Sequence, residues 1–265
     1  MLSLTTLPGV FQRLLHGMGD ALFPAKCLGC GRLFKHDRET PPTSNPIGFS
    51  AAMAPHFCLH CRDRWTAVAS PLCSRCGLVF SSREGEDHLC GRCLDGPGAF
   101  IRARAAGIYD NTLKAAIHAL KFKDKVSLAN PLGRVLFDAF LHYWTVGEVD
   151  VVAPVPLHRQ RFRQRGFNQA YLLVRRWALP EETVIIRDLL VRTRATAPQT
   201  GLDRQQRRIN IRNAFSVNRR GQTAGKRVLM VDDVLTTGAT VDACSNALMR
   251  DGAERVDVLT LARAL

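Results

Sequence analysis

Apolar residues along this chain switch between two periods. Val228 to Val231 form an unbroken apolar run, too continuous for a half-exposed strand and suited to a parallel sheet covered on both faces. Similar runs at 101–109, 149–156, 184–191 and 256–262 predict further strands. Between them the spacing turns helical. Leu113, Ile117 and Leu120 share a face over 112–122, and Leu132, Val135, Leu136, Phe140 and Tyr143 share one over 130–144. Helices are also predicted over 168–177 and 241–251. Pro154 and Pro156 lack N–H donors, so the strand that reaches them stops there. Strands that alternate with helices predict an α/β fold with a mainly parallel sheet.

The first hundred residues read differently. Phe11, Leu14, Leu15, Met18 and Leu22 predict an amphipathic helix within 1–24, most simply packed on the rest of the protein. Residues 25–95 hold few large apolar side chains and most of the cysteines. The turn cluster Asp95-Gly96-Pro97-Gly98 separates them from the α/β region at 96–265. No stretch approaches the ~20 apolar residues of a membrane span. The N-terminus lacks the basic start and apolar centre of a secretory leader, so a cytoplasmic protein is expected.

Eight of the nine cysteines form four C-x-x-C pairs: Cys27/Cys30, Cys58/Cys61, Cys73/Cys76 and Cys90/Cys93. Two pairs supply one tetrahedral zinc site, and the simplest grouping is sequential. A crossed grouping stays open, and disulfides would be the reading in a secreted chain. Gly31 and Gly77 each follow a pair, where a tight knuckle turn needs a permissive residue. Four thiolates per ion leave no open position, so such Zn²⁺ would be structural, and this region is expected to need it to fold. A proline-rich stretch at 41–46 reads as a loop within the first group. Cys244 reads as a buried small hydrophobe.

The apolar run at 228–231 continues into Asp232-Asp233-Val234-Leu235-Thr236-Thr237-Gly238-Ala239-Thr240. Small residues there would let backbone N–H groups approach an anion, at the positive end of the helix that follows. Two carboxylates beside such a cradle make sense when the ligand also offers hydroxyls or a metal ion. The strand at 149–156 also leads into a polar loop, with His158, Arg159, Arg161, Arg163 and Arg165 ahead of a helix. The chain carries a net charge of +14, and residues 151–220 hold 15 Arg and no Lys against 4 Asp and Glu. Arg pairs with phosphate bidentately, so polyphosphate or nucleic acid is the natural ligand, with a solvated basic face as the alternative. The polar, basic segment at 192–213 reads as a loop able to close on a charged ligand.

The Asp232 to Thr240 run resembles the phosphoribosyl diphosphate (PRPP) signature of type I phosphoribosyltransferases. The whole chain resembles the ComF family of competence-associated proteins. The resemblance rests on the cysteine pairs, Ile117-His118-Ala119-Leu120-Lys121-Phe122, Pro154-Val155-Pro156-Leu157-His158, Arg165-Gly166-Phe167-Asn168-Gln169, and Thr196, Gln199, Leu202, Arg207, Asn210 and Phe215 ahead of the acidic run. It implies a double zinc ribbon followed by a type I phosphoribosyltransferase domain. By that resemblance Asp232 and Asp233 hold ribose hydroxyls and are the catalytic candidates. Val234, Leu235, Thr236, Thr237, Gly238, Ala239 and Thr240 surround the 5′-phosphate, and His158, Arg159, Arg163 and Arg165 face the diphosphate with Mg²⁺. It also links such proteins to natural transformation. Two functions are expected: Mg-dependent phosphoribosyl transfer with release of pyrophosphate, or non-catalytic PRPP-responsive binding of single-stranded DNA or a helicase-like competence partner.

Overall fold

The computed structural model describes residues 24–35, 47–82, 84–96, 98–145, 147–194 and 214–265. The expected N-terminal helix, the proline-rich loop and most of the basic loop at 192–213 lie outside these residues.

In chain order, the first cysteine group comprises a hairpin of β1 (Ala25–Lys26) and β2 (Leu33–Phe34), then short helices α1 (Phe49–Met53) and α2 (Leu59–Asp63). The second ends in α3 (Gly91–Asp95). There follow β3 (Arg102–Ile108), α4 (Asn111–Phe122), α5 (Ala129–Tyr143) and β4 (Val151–Pro154). Next come α6 (Arg159–Arg165), α7 (Gln169–Val174), β5 (Val184–Ile185), β6 (Leu190–Arg192), β7 (Phe215–Val217), β8 (Arg227–Leu235), α8 (Ala239–Arg250) and β9 (Arg255–Arg263). Five strands form a sheet in the order β3-β9-β8-β4-β5, and every neighbouring pair is parallel. The α/β reading with a parallel sheet therefore holds.

Alternation along the strands explains why their sequences look apolar throughout. Val152 of β4, Leu229 and Val231 of β8, and Leu259 and Leu261 of β9 face one side, with α4, α5 and α7. Val151, Ala153, Val228, Met230, Val256 and Val258 face the other, with α8 and the β6–β7 hairpin. Each strand is thus buried on both faces. The cysteine groups divide the same way. Cys27, Phe49, Met53, Phe57 and Cys61 join the first core, and Cys73, Cys76 and Cys90 join the second.

Two predicted elements differ. The strand expected over 184–191 is two pieces. Ile186 N–H still reaches Val152 O at 3.0 Å, then the chain turns at the exposed pair Arg187-Asp188. Leu190 onward pairs antiparallel with β7 instead. The arginine-rich loop after β4 is a seven-residue helix, α6, whose His158 N-cap accepts from Gln160 N–H and whose end is set by Gly166 at φ 79°. Its side chains are mostly exposed and, apart from Phe162, polar, so no apolar period marks it.

Helices α5 and α7 approach closely at Gly133, where an added Cβ would lie 2.5 Å from the carbonyl oxygen of Leu173. Alanine ordinarily gains about 1 kcal/mol over glycine inside a helix. Here overpacking against backbone, about 1–3 kcal/mol, outweighs that gain. Gly133→Ala should therefore lower the midpoint of thermal unfolding, whereas an open glycine in a helix would raise it.

Candidate active site and metal centres

Strand β8 lies between β9 and β4, so its carboxyl end opens where open α/β sheets place ligands. The strand runs through Leu235, which puts both acids on it. Successive side chains point to opposite faces. Asp233 joins the α4 side, 4% exposed, and its Oδ2 lies 2.8 Å from Lys121 Nζ. Asp232 joins the α8 side, and its Oδ1 accepts from Asp233 N–H at 2.8 Å. Burial, followed by the charge of Asp233, pushes the Asp232 carboxyl up to about 7, against opposition from Lys121.

The chain then turns at Thr236, Thr237 and Gly238. Gly238 has φ 83°, the left-handed region that favours glycine, and is the N-cap of α8. Thr237 Oγ1 accepts from Ala239 N–H at 3.4 Å. The twelve-residue α8 directs its positive end at the turn. From behind, Arg263 Nη1 donates to Leu235 O at 2.8 Å and Thr236 O at 2.7 Å.

A cavity of about 500 Å³ lies over this strand end, lined by every residue from Asp232 to Val241. Also in its wall are Tyr109 and Lys121 from the β3–α4 unit, Val155, Pro156, Leu157, Arg161 and Gln169 from the β4–α7 unit, and Arg192 from β6. The whole Asp232 to Thr240 segment is thus brought together. Of the arginine run, Arg161 lines the cavity, while exposed Arg159 and Arg163 do not. His158 caps α6. Arg165 stands one layer back, donating to Gln169 Oε1 at 2.6 Å with its guanidinium 5.4 Å from the Phe122 ring centre. Burial, the largest effect, disfavours its cation, with Arg161 adding to that and the charges of Asp233 and Asp232 opposing it.

Sequence reasoning did not assign roles to Tyr109, Lys121, Arg161, Gln169 or Arg192. Arg161 stood inside the run already noted, and Lys121 stood in a motif that carried the family resemblance. Arg192 opened the basic segment at 192–213, which did not single out any one of its arginines. Three cations, Lys121, Arg161 and Arg192, face two carboxylates. Burial and then the charge of Arg161 disfavour the Arg192 cation, while Asp232 favours it. The cavity is therefore set for an anionic ligand.

The cysteines group sequentially. In Cys27, Cys30, Cys58 and Cys61, and in Cys73, Cys76, Cys90 and Cys93, all four sulfurs lie within 4.8 Å of one another. A zinc tetrahedron with bonds of ~2.3 Å has edges of about 3.8 Å. Cys30 and Cys58 sulfurs lie 3.8 Å apart, and those of Cys76 and Cys90 3.7 Å. Both separations are far from the ~2.05 Å of a disulfide. Backbone N–H groups point at sulfur as a thiolate centre requires: Cys58 N–H at Cys27, and Cys76 and Cys90 N–H at Cys73. Burial alone would raise the Cys73 thiol, but N–H donors from Cys76, Cys90 and Arg75 bring it down to about 6. The residues fit a tetrahedral metal ion in each group. Among the described residues no helix is long and apolar enough to cross a membrane.

The family model for the phosphoribosyl transferase domain matches residues 165–265. DNA utilization protein YhgH of Escherichia coli is 36% identical over 210 residues, covering 77% of this chain and 88% of that protein. Competence protein F of Haemophilus influenzae is 30% identical over 221 residues, covering 78% and 96%. Among solved structures, glutamine PRPP amidotransferase from B. subtilis aligns with a TM-score of 0.34 at 22% identity, over 54% of this chain and 30% of that one.

Asp232 gives a pH test. Its carboxyl in the folded protein titrates near 7, above the 3.8 of an unperturbed Asp. Folded-state stability contributed by the group is therefore complete below pH ~4 and is lost as pH rises to about 7. Asp232→Asn should be more stable than the parent at pH 8, by roughly 1–3 kcal/mol after allowing for solvent in the open cavity. Urea unfolding at pH 8 and pH 4 should show that gap, then its closure.

Proposed function

Because the chain belongs to the ComF family, with the competence and DNA utilization proteins it matches, we propose that its cavity binds PRPP and transfers the phosphoribosyl group to a nucleophile. The observation that carries this reading is the pairing of two carboxylates with an anion-cradling turn under an excess of cations. A plain phosphate site would gain nothing from buried acids. A sugar phosphate uses both, because hydroxyls donate to carboxylates while phosphate accepts from N–H groups.

In this reading Asp232 and Asp233 hold the 2′- and 3′-hydroxyls, and Lys121 pairs with Asp233. The N–H groups of the Thr236–Ala239 turn and the α8 dipole hold the 5′-phosphate. Arg161 and Arg192, with Arg165 behind them, face the diphosphate. His158, Arg159 and Arg163 belong to the approach to the site rather than its wall. The nucleophile bonds to the anomeric carbon as the bond from that carbon to the diphosphate oxygen breaks. The cations then stabilise the charge that collects on departing pyrophosphate. Mg²⁺, when bound with the substrate, would supply further neutralisation of that diphosphate. The two cysteine groups each take a structural Zn²⁺.

A second reading draws on the exposed face of α6. Arg159 and Arg163 are exposed and do not line the cavity, and the relatives carry competence and DNA names. In it, PRPP regulates single-stranded DNA binding there without turnover, and affinity for DNA falls steeply with salt.

Calorimetric titration with PRPP, with and without Mg²⁺, tests the first part of both readings. Micromolar affinity is expected for the parent. An Asp232→Asn, Asp233→Asn double variant should bind at least about 100-fold more weakly, since two charge-assisted hydrogen bonds are lost. Equal affinity in the variant would remove the acids from the site. Pyrophosphate release in the presence of candidate acceptors separates transfer from regulation.

A further inference from the structure

The second cysteine group and the phosphate turn share one side chain. Arg263, at the end of β9, is 2% exposed. Its Nη1 donates to the carbonyls of Leu235, Thr236 and Ala264, at 2.8, 2.7 and 2.7 Å. Among the described residues its Nε has no hydrogen-bond partner. Burial, the largest effect, disfavours its cation; the charge of Cys76 opposes that, Arg92 adds to it, and a side-chain hydrogen bond with Cys76 and the charge of Cys90 favour the cation again. Cys76, Cys93, Arg92 and Arg263 also line a small cavity of about 60 Å³ together with Leu235, Thr237, Gly238 and Ala239.

We propose that Arg263 is a positioning residue that couples the second four-cysteine metal centre to the 5′-phosphate turn. The proposal rests on the PRPP reading only for the identity of the ligand. Its physical basis is charge. Four thiolates around one divalent zinc form a net dianion, and a buried guanidinium needs such a partner. With the centre filled, Arg263 is held by sulfur at one edge and holds two turn carbonyls at the other. Those carbonyls belong to the residues just before the N–H groups that would meet phosphate, so their placement aims the donors. When the ion leaves or a thiolate is oxidised, the dianion is lost, the guanidinium loses its anchor, and the turn loosens. Among the described residues the first cysteine group shows no such link. It touches the sheet's other face, where Thr112 Oγ1 at the start of α4 donates to Cys61 O.

The experiment compares the zinc-loaded parent with Arg263→Gln, Arg263→Lys, Cys93→Ser and Cys30→Ser. Three quantities are read: bound zinc, amide hydrogen exchange across Thr236–Ala239, and PRPP affinity. Arg263→Gln should retain two zinc ions, exchange the turn amides faster, and bind PRPP about tenfold or more weakly. Cys93→Ser should lose one zinc and loosen the same amides. Cys30→Ser should lose one zinc without affecting them. Arg263→Lys keeps the charge but not the fork of donors, and should fall between parent and Gln. It carries the test if Arg263→Gln does not fold. Unchanged turn exchange in the arginine variants, or equal loosening in Cys30→Ser and Cys93→Ser, overturns the proposal. If the parent does not bind PRPP, the ligand assignment falls, and the exchange and zinc measurements still decide the coupling.

Discussion

Adjacent carboxylates at the end of a buried strand repel each other and resist leaving water, and the charged side chains around the cavity answer that repulsion. Asp233 is satisfied by Lys121 from the α4 face. Asp232 lies toward the opposite face, where Arg192 favours its charge but does not cancel the effect of burial. That division follows from strand geometry. Successive residues of β8 face opposite ways, so one acid needs a cation from the α4 face and the other from the β6 side. A strand buried on both faces is the one place where two such partners can arrive from different layers. The acids consequently require the parallel, doubly covered sheet, and the sheet positions the acids.

The cysteine groups fit that two-sided arrangement. One packs with α1 and α2 on the face that delivers Lys121, the other under the turn that precedes α8. Residues 25–95 are too sparse in large apolar side chains to build a core apart from the sheet. Instead Phe49, Met53 and Phe57 enter the main core beside the first cluster of four cysteines. Metal, in such a region, contributes order that burial alone does not supply. The packing places the second cysteine group within a single side chain of the turn at Thr236–Gly238.

Much of the fold was legible because burial on both faces leaves an unbroken apolar mark. The runs at 228–231 and 256–262 were found as strands, and the helices at 112–122 and 130–144 were found from faces repeating every three to four residues. The acidic run was legible because its small residues and paired carboxylates serve no ordinary strand–helix connection. Helix α6 was not, since its polar surface has no apolar stripe and its stability comes from a His158 cap and a left-handed glycine. Nor was the β6–β7 hairpin, which pairs residues separated by the long basic segment. The site's cations were only partly legible. Lys121, Arg161 and Arg192 come from three distant segments, and only tertiary packing makes them neighbours. Arginine content pointed to an anion, but not to which arginines line the wall.

The central claim is that the acid pair reads sugar hydroxyls while the turn reads phosphate. Competition between ribose 5-phosphate and 2-deoxyribose 5-phosphate for the zinc-loaded protein tests it most directly. The two differ by one hydroxyl, and a site built to accept its hydrogen bond should discriminate clearly. The account predicts that the ribose ligand binds at least about tenfold more tightly, and that Asp232→Asn, Asp233→Asn erases the difference. Equal affinity of the parent for both sugars would contradict it, and would leave the cavity as a phosphate site in which the carboxylates play no part in recognition.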